Sequence, residues 1–149
     1  MKLYLSEITD SIVKRHVEFI HKNEEFNHGS KLKGLEMDVS FYRAGETICL
    51  KIEGNFTIGT LCDRCAADLE ACMDVSESYY LFPERSSSDV DYFYSGDSIE
   101  LDDFVRETVV MNVPDKILCS DDCRGLCSLC GTNLNDKKCG CTFIDDETV

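Results

Sequence analysis

The sequence predicts an α+β fold: an antiparallel β-sheet, or a partly open barrel, covered by one helix and carrying a small cysteine-rich module at its C-terminal end. Three observations predict it. Apolar residues alternate strictly with polar ones through the middle of the chain, a single helix-period stripe follows residue 98, and six cysteines crowd into the 23 residues from Cys119 to Cys141. A period of two places every second side chain on one sheet face, whereas a spacing of three and four marks one side of a helix.

Taken from the N-terminus, Leu3 and Leu5 alternate as in a short strand, Ser6 to Val13 reads as a brief helix, and His16 to Ile20 alternates again. Asn23 to Lys33 is a polar loop ended by Gly34. Leu35, Met37, Val39 and Phe41 then alternate with Glu36, Asp38 and Ser40, the pattern of a half-buried strand. Ala44-Gly45-Glu46 supplies a turn. Ile48, Leu50, Ile52, Phe56 and Ile58 share one face of a second strand, with Gly54 on that face as a candidate bulge. Leu69, Ala71, Met73, Val75, Tyr79 and Leu81 mark a third, and together the three runs read as an antiparallel meander with one face buried. Pro83 to Asp89, with Ser86-Ser87-Ser88, is a connection, and Tyr92-Phe93-Tyr94 a further short strand. Ser98 is placed to cap a helix whose stripe is Leu101, Phe104, Val105 and Val109, with Glu100, Asp102 and Asp103 near its positive end and Pro114 stopping it. The chain therefore divides into an N-terminal segment (1–34), a sheet-plus-helix core (35–114), the cysteine-rich module (115–142) and an acidic tail (143–149).

A chain of 149 residues buries a real core, so its ten cysteines are not needed merely to hold a mini-protein together. No apolar run approaches the roughly 18 residues of a membrane span, and the N-terminal residues lack the apolar stretch of a signal peptide, so a cytoplasmic location is expected. In a reducing compartment, close cysteine pairs bind metal or carry out redox chemistry. The net charge of −14 repels a phosphate backbone and favours a basic protein partner, or a local basic patch on an acidic body, while also serving solubility. There is no phosphate-cradling glycine loop and no nucleophile elbow, and abundant carboxylates are unremarkable in so acidic a chain. Catalysis, a small-molecule substrate and a membrane are not expected.

The C-terminal cysteines run Cys119-x3-Cys123-x3-Cys127-x2-Cys130-x8-Cys139-x-Cys141. A Cys-x2-Cys loop brings two sulfurs to one tetrahedral ion, and a following glycine permits the bend of a knuckle; Cys127, Cys130 and Gly131 combine these features. A zinc knuckle is therefore expected, with Cys127 and Cys130 as one ligand pair. Cys139 with Cys141, or Cys119 with Cys123, completes the four. Zinc is preferred to an iron–sulfur cluster because the spacing suits a structural tetrahedral ion and nothing in the sequence calls for redox activity. A second pair, Cys62 and Cys65, flanks Asp63-Arg64 between the second and third strands. It holds its own ion with an outside ligand, shares the C-terminal ion, or is a pair of loop thiols. A thioredoxin-like redox role needs a βαβ context, and the pattern here is antiparallel. Cys49 and Cys72 stand singly in strands opposite the apolar face and read as packing residues; His16, His21 and His28 lack ligand spacing.

The strand running into Leu61-Cys62-Asp63-Arg64-Cys65, the stretch Ile99 to Glu107 leading to Val113-Pro114, and the module from Cys119 through Asn135 to Cys139 and Cys141 together resemble the YceD family, the large ribosomal RNA subunit accumulation proteins of bacteria and plastids. The resemblance covers roughly residues 35 to 141; the module matches a cysteine-rich branch, and Ala66 departs from the larger apolar residue of many relatives. It implies a non-enzymatic factor supporting accumulation of large-subunit ribosomal RNA. The implied partners are the RNA precursor, a basic large-subunit ribosomal protein, or both. Arg64, Arg124, Lys137 and Lys138 are the cations an RNA phosphate would meet; between Cys119 and Cys141 three acidic residues (Asp121, Asp122, Asp136) balance three basic ones (Arg124, Lys137, Lys138).

Overall fold

The computed structural model describes residues 1–18, 29–84 and 92–141. Phe19 and Ile20, His21, His28, the serine-rich connection and the acidic tail lie outside the described residues. The strands are β1 (Lys2–Tyr4), β2 (Val13–Glu18), β3 (Lys31–Ala44), β4 (Thr47–Leu61), β5 (Asp68–Pro83), β6 (Phe93–Tyr94) and β7 (Ser98–Glu100), followed by helix α1 (Leu101–Asn112). Five of them form one sheet in the order β2-β3-β4-β5-β6; β1 and β7 pair separately. All pairings are antiparallel except β5 with β6, and the sheet is open, since β2 and β6 are its two edges.

The apolar alternation becomes the core. Leu32, Leu35, Met37, Val39 and Phe41 of β3, Ile48, Leu50, Ile52, Phe56 and Ile58 of β4, and Val75, Tyr79 and Leu81 of β5 are all buried. Helix α1 closes this face with Leu101, Val105 and Val109, each buried side chain contributing about 1.5–3 kcal/mol relative to exposure. At the seam Tyr79 stacks edge-on against Tyr92 and Phe104, at centroid separations of 5.2 and 5.1 Å. The buried Thr108 hydroxyl donates to the Phe104 carbonyl (2.8 Å) and can therefore accept from the Tyr79 hydroxyl, 2.8 Å away.

Several local expectations are corrected. Ser6 to Val13 is not a helix: only Leu5–Glu7 forms a single 3-10 turn, and β2 starts at Val13. The strand β3 begins at Lys31, inside the stretch read as a loop. Ser98 does not cap α1; it lies in β7 opposite Tyr4, and Glu100 is the N-cap. Gly54 is not a bulge, because Met37, Gly54 and Val75 stay in register across three strands. Its φ of 155° and the 2.1 Å that would separate an added Cβ from the Glu36 carbonyl oxygen explain the glycine instead. The register shift falls between Leu32 and Gly34. Cys49 is buried, as a packing residue should be, but Cys72 is exposed.

The sheet face away from the core carries charge in bands. Reading across β2 to β5, one row is Glu18, Glu36, Asn55 and Asp74, and the next is His16, Asp38, Glu53 and Ser76. His16 bonds Asp38 at 2.7 Å and Lys51 pairs with Glu53 at 2.7 Å.

Candidate metal centres

The tip of the β4–β5 hairpin is a closed loop. Cys62 N–H donates to the Ala67 carbonyl (2.8 Å), and Ala66 N–H donates to the Cys62 carbonyl (2.9 Å). Ala66 has a φ of 56°, the left-handed conformation that turns the chain after Cys65. The loop at Cys127 repeats this backbone. Cys127 N–H donates to the Thr132 carbonyl (2.8 Å), Gly131 N–H donates to the Cys127 carbonyl (2.8 Å), and Gly131 has a φ of 70°. The two Cys-x2-Cys segments are thus the same knuckle, one with glycine and one with alanine at the bend.

Each knuckle meets a second cysteine pair. Cys62, Cys65, Cys119 and Cys123 form one cluster and Cys127, Cys130, Cys139 and Cys141 another, with the four sulfurs of each lying within 4.8 Å of one another. The sulfurs of Cys139 and Cys141 lie with those of the C-terminal pair, and the sulfurs of Cys119 and Cys123 lie instead with those of the hairpin pair. Either cluster could hold a metal ion. A tetrahedral ion with metal–sulfur distances of about 2.3 Å needs sulfurs about 3.8 Å apart. The observed Sγ–Sγ separations are 3.8 Å for Cys62–Cys123, 3.6 Å for Cys65–Cys119 and 3.5 Å for Cys127–Cys139. All ten cysteines are free thiols.

The electrostatics suit a cation. Burial opposes ionisation of Cys62, but the N–H groups of Cys65, Arg64 and Cys119 outweigh it and bring the thiol down to about 6. The Thr132 hydroxyl and N–H bring Cys130 to about 6 as well. Crowding by neighbouring sulfurs works the other way: Cys123 and Cys65 push Cys119 up to about 12, and Cys130 pushes Cys141 up to about 12. The Asn135 carboxamide, acting against burial, holds Cys123 below the usual thiol range. Four sulfurs this close cannot all ionise alone, and a dication removes the conflict.

The hairpin cluster also fastens the module to the sheet. Asp63 N–H donates to the Ile117 carbonyl (2.9 Å), and Ile117 N–H donates to the Asp63 carboxylate (2.6 Å). Arg64 Nη1 donates to the Cys123 carbonyl (3.0 Å), and Leu126 N–H to the Arg64 carbonyl (3.1 Å). Arg64 thus has a structural task that its exposed charge did not suggest. Arg124 and Lys138 line a cavity of about 300 Å³ with Leu134, Cys139 and Cys141, while Lys137 is exposed. Asn135 and Thr132, which reach cluster sulfurs, lie in the stretch that carries the family resemblance, but nothing in their spacing points to the sulfurs.

The family model described as Large ribosomal RNA subunit accumulation protein YceD matches residues 48–147. The chain belongs to the YceD family. That match takes in the hairpin knuckle, α1 and both cysteine clusters of this YceD chain. The chain is also similar to Large ribosomal RNA subunit accumulation protein YCED homolog 1, chloroplastic, of Arabidopsis thaliana, at 35% identity over 43 residues, 29% of this chain and 13% of that relative. The matched part is therefore a small fraction of the relative's length. No solved structure matches the chain. Among the described residues, no helix is long and apolar enough to cross a membrane.

Proposed function

We propose that this YceD-family chain is a non-enzymatic cytoplasmic factor that supports accumulation of large-subunit ribosomal RNA, and with it assembly of the large subunit. The observation that carries the reading is the family match over residues 48–147. Zinc is the proposed ion at both clusters. Four thiolates at tetrahedral spacing suit it, and such a closed site leaves no open position for a substrate, so the ions shape and fix the module. The proposed contact is with a basic large-subunit ribosomal protein. The net charge of −14 supports this, as do the carboxylates of Glu18, Glu36, Asp38 and Asp74 on the exposed sheet face. Arg124, Lys137 and Lys138 are the cations that RNA would meet if the contact were with phosphate.

Depletion of the protein should lower the ratio of large- to small-subunit ribosomal RNA on sucrose gradients. Wild type should restore the ratio and Cys62→Ser/Cys65→Ser should not. Crosslinking should capture a basic ribosomal protein. An RNA crosslink centred on Arg124, Lys137 and Lys138 would move the contact to the nucleic acid. An unchanged ratio would overturn the assembly role and leave a zinc-stapled adaptor for some other basic protein.

A further inference from the structure

The loop that closes the C-terminal cluster reaches into the other one. Asn135 lies between Cys130 and Cys139, yet its Nδ2 is 3.3 Å from Cys123 Sγ in the hairpin cluster. The orientation of the carboxamide follows from its neighbours. Arg124 N–H can only donate, and it points at Asn135 Oδ1 (2.8 Å), so the amide nitrogen is the end that faces the sulfur. Nδ2 also donates to Asn133 Oδ1 (2.9 Å), and Asn135 N–H donates to the same oxygen (3.0 Å). The backbone holds this arrangement against the segment between the clusters: Leu134 N–H donates to the Gly125 carbonyl (2.9 Å), and Leu126 bridges Asn133. Gly125 has a φ of 73°, and an added Cβ would stand 3.0 Å from the Arg64 carbonyl oxygen, so the contact with the hairpin is close.

We propose that Asn135 is a positioning residue that couples the two metal sites, so that filling the C-terminal site raises the affinity of the hairpin site. The inference rests on both clusters binding metal. An ion on Cys127, Cys130, Cys139 and Cys141 fixes residues 131–138 between its ligands and holds the Asn135 carboxamide on Cys123. A hydrogen bond to a ligating thiolate orients it and disperses its charge; loss of such a partner typically weakens metal binding about 10–100-fold. By linkage, an ion in the hairpin site tightens the C-terminal site by the same factor.

The test uses the full chain with zinc, stripped by graded chelator, and reads each site separately by alkylation. Cys62 and Cys123 report the hairpin site; Cys127 and Cys139 report the other. Asn135→Asp keeps the shape and the Oδ1 acceptor for Arg124 N–H but replaces the donor to sulfur with a carboxylate oxygen. It should weaken the hairpin site about 10–100-fold while the isolated C-terminal site, measured in a Cys65→Ser background, is unchanged. Cys130→Ser should weaken the hairpin site in the wild-type background and add little on top of Asn135→Asp. Equal protection of Cys62 and Cys123 with and without Asn135→Asp would overturn the coupling, as would an undiminished effect of Cys130→Ser in the double variant. A wild-type chain that binds no zinc would overturn the metal reading itself, an outcome distinct from either.

Discussion

Ala66 occupies a backbone position that Gly131 occupies in the other knuckle, and the difference is measurable. A Cβ in the left-handed region costs about 1–2 kcal/mol, part of which is offset by the greater unfolded freedom of glycine. Ala66→Gly should therefore raise the stability of the zinc-loaded chain by about 0.5–1 kcal/mol, and Gly131→Ala should lower it by a similar amount, read from denaturant midpoints. Proton bookkeeping offers a second check at this scale. With Cys119 and Cys141 held up to about 12, an ion entering either cluster must displace at least one proton at neutral pH. Metal affinity should rise with pH, and it should fall more steeply below about 6, where Cys62 and Cys130 also take protons. Titration in buffers of different ionisation heat counts the protons; an affinity that does not change with pH would contradict the cluster chemistry. The sequence showed the Cys127–Cys130 knuckle because glycine follows it. The same bend at Cys65 was concealed by an alanine.

At the scale of elements, β3, β4 and β5 were legible because each buries one face and exposes the other, which writes a period of two into the chain. The short elements were not. β7 exists because β1 pairs with it from the far end of the sequence, so Ser98 looked like a helix cap when read locally. The pattern marks Gly54 as unusual, but its cause is the approach of the Glu36 carbonyl on the neighbouring strand, which only the pairing reveals. Gly54→Ala should destabilise the fold by more than about 2 kcal/mol, since neither strand can retreat without breaking the register that buries Met37 and Phe56. Thermal unfolding measures this; a loss within about 0.5 kcal/mol, the range of ordinary surface changes, would show that the strands part more easily than the geometry implies.

The whole molecule joins parts that the sequence holds far apart. Cys119 and Cys123 stand only a few residues before Cys127, so spacing alone offered them to the nearer knuckle. They go to the hairpin because Asp63 binds Ile117 on both its N–H and its carbonyl, and because Arg64 holds the Cys123 carbonyl. The module is thus clasped to the sheet by one cluster and folded on itself by the other. Part of the acidic charge lies in two rows on the exposed sheet face, Glu18, Glu36 and Asp74 in one and Asp38 and Glu53 in the next, beside a row that carries Lys14 and Lys51. A basic partner is to be sought at those carboxylates.

Eight of the thiols fall into two separate clusters, Cys62, Cys65, Cys119 and Cys123 against Cys127, Cys130, Cys139 and Cys141, each able to hold one ion. Native mass spectrometry at saturating zinc counts the ions. The wild-type chain should carry two ions, and Cys62→Ser/Cys65→Ser and Cys127→Ser/Cys130→Ser should each carry one. A wild-type chain with a single ion, or one that keeps both ions when either knuckle is removed, would contradict the division.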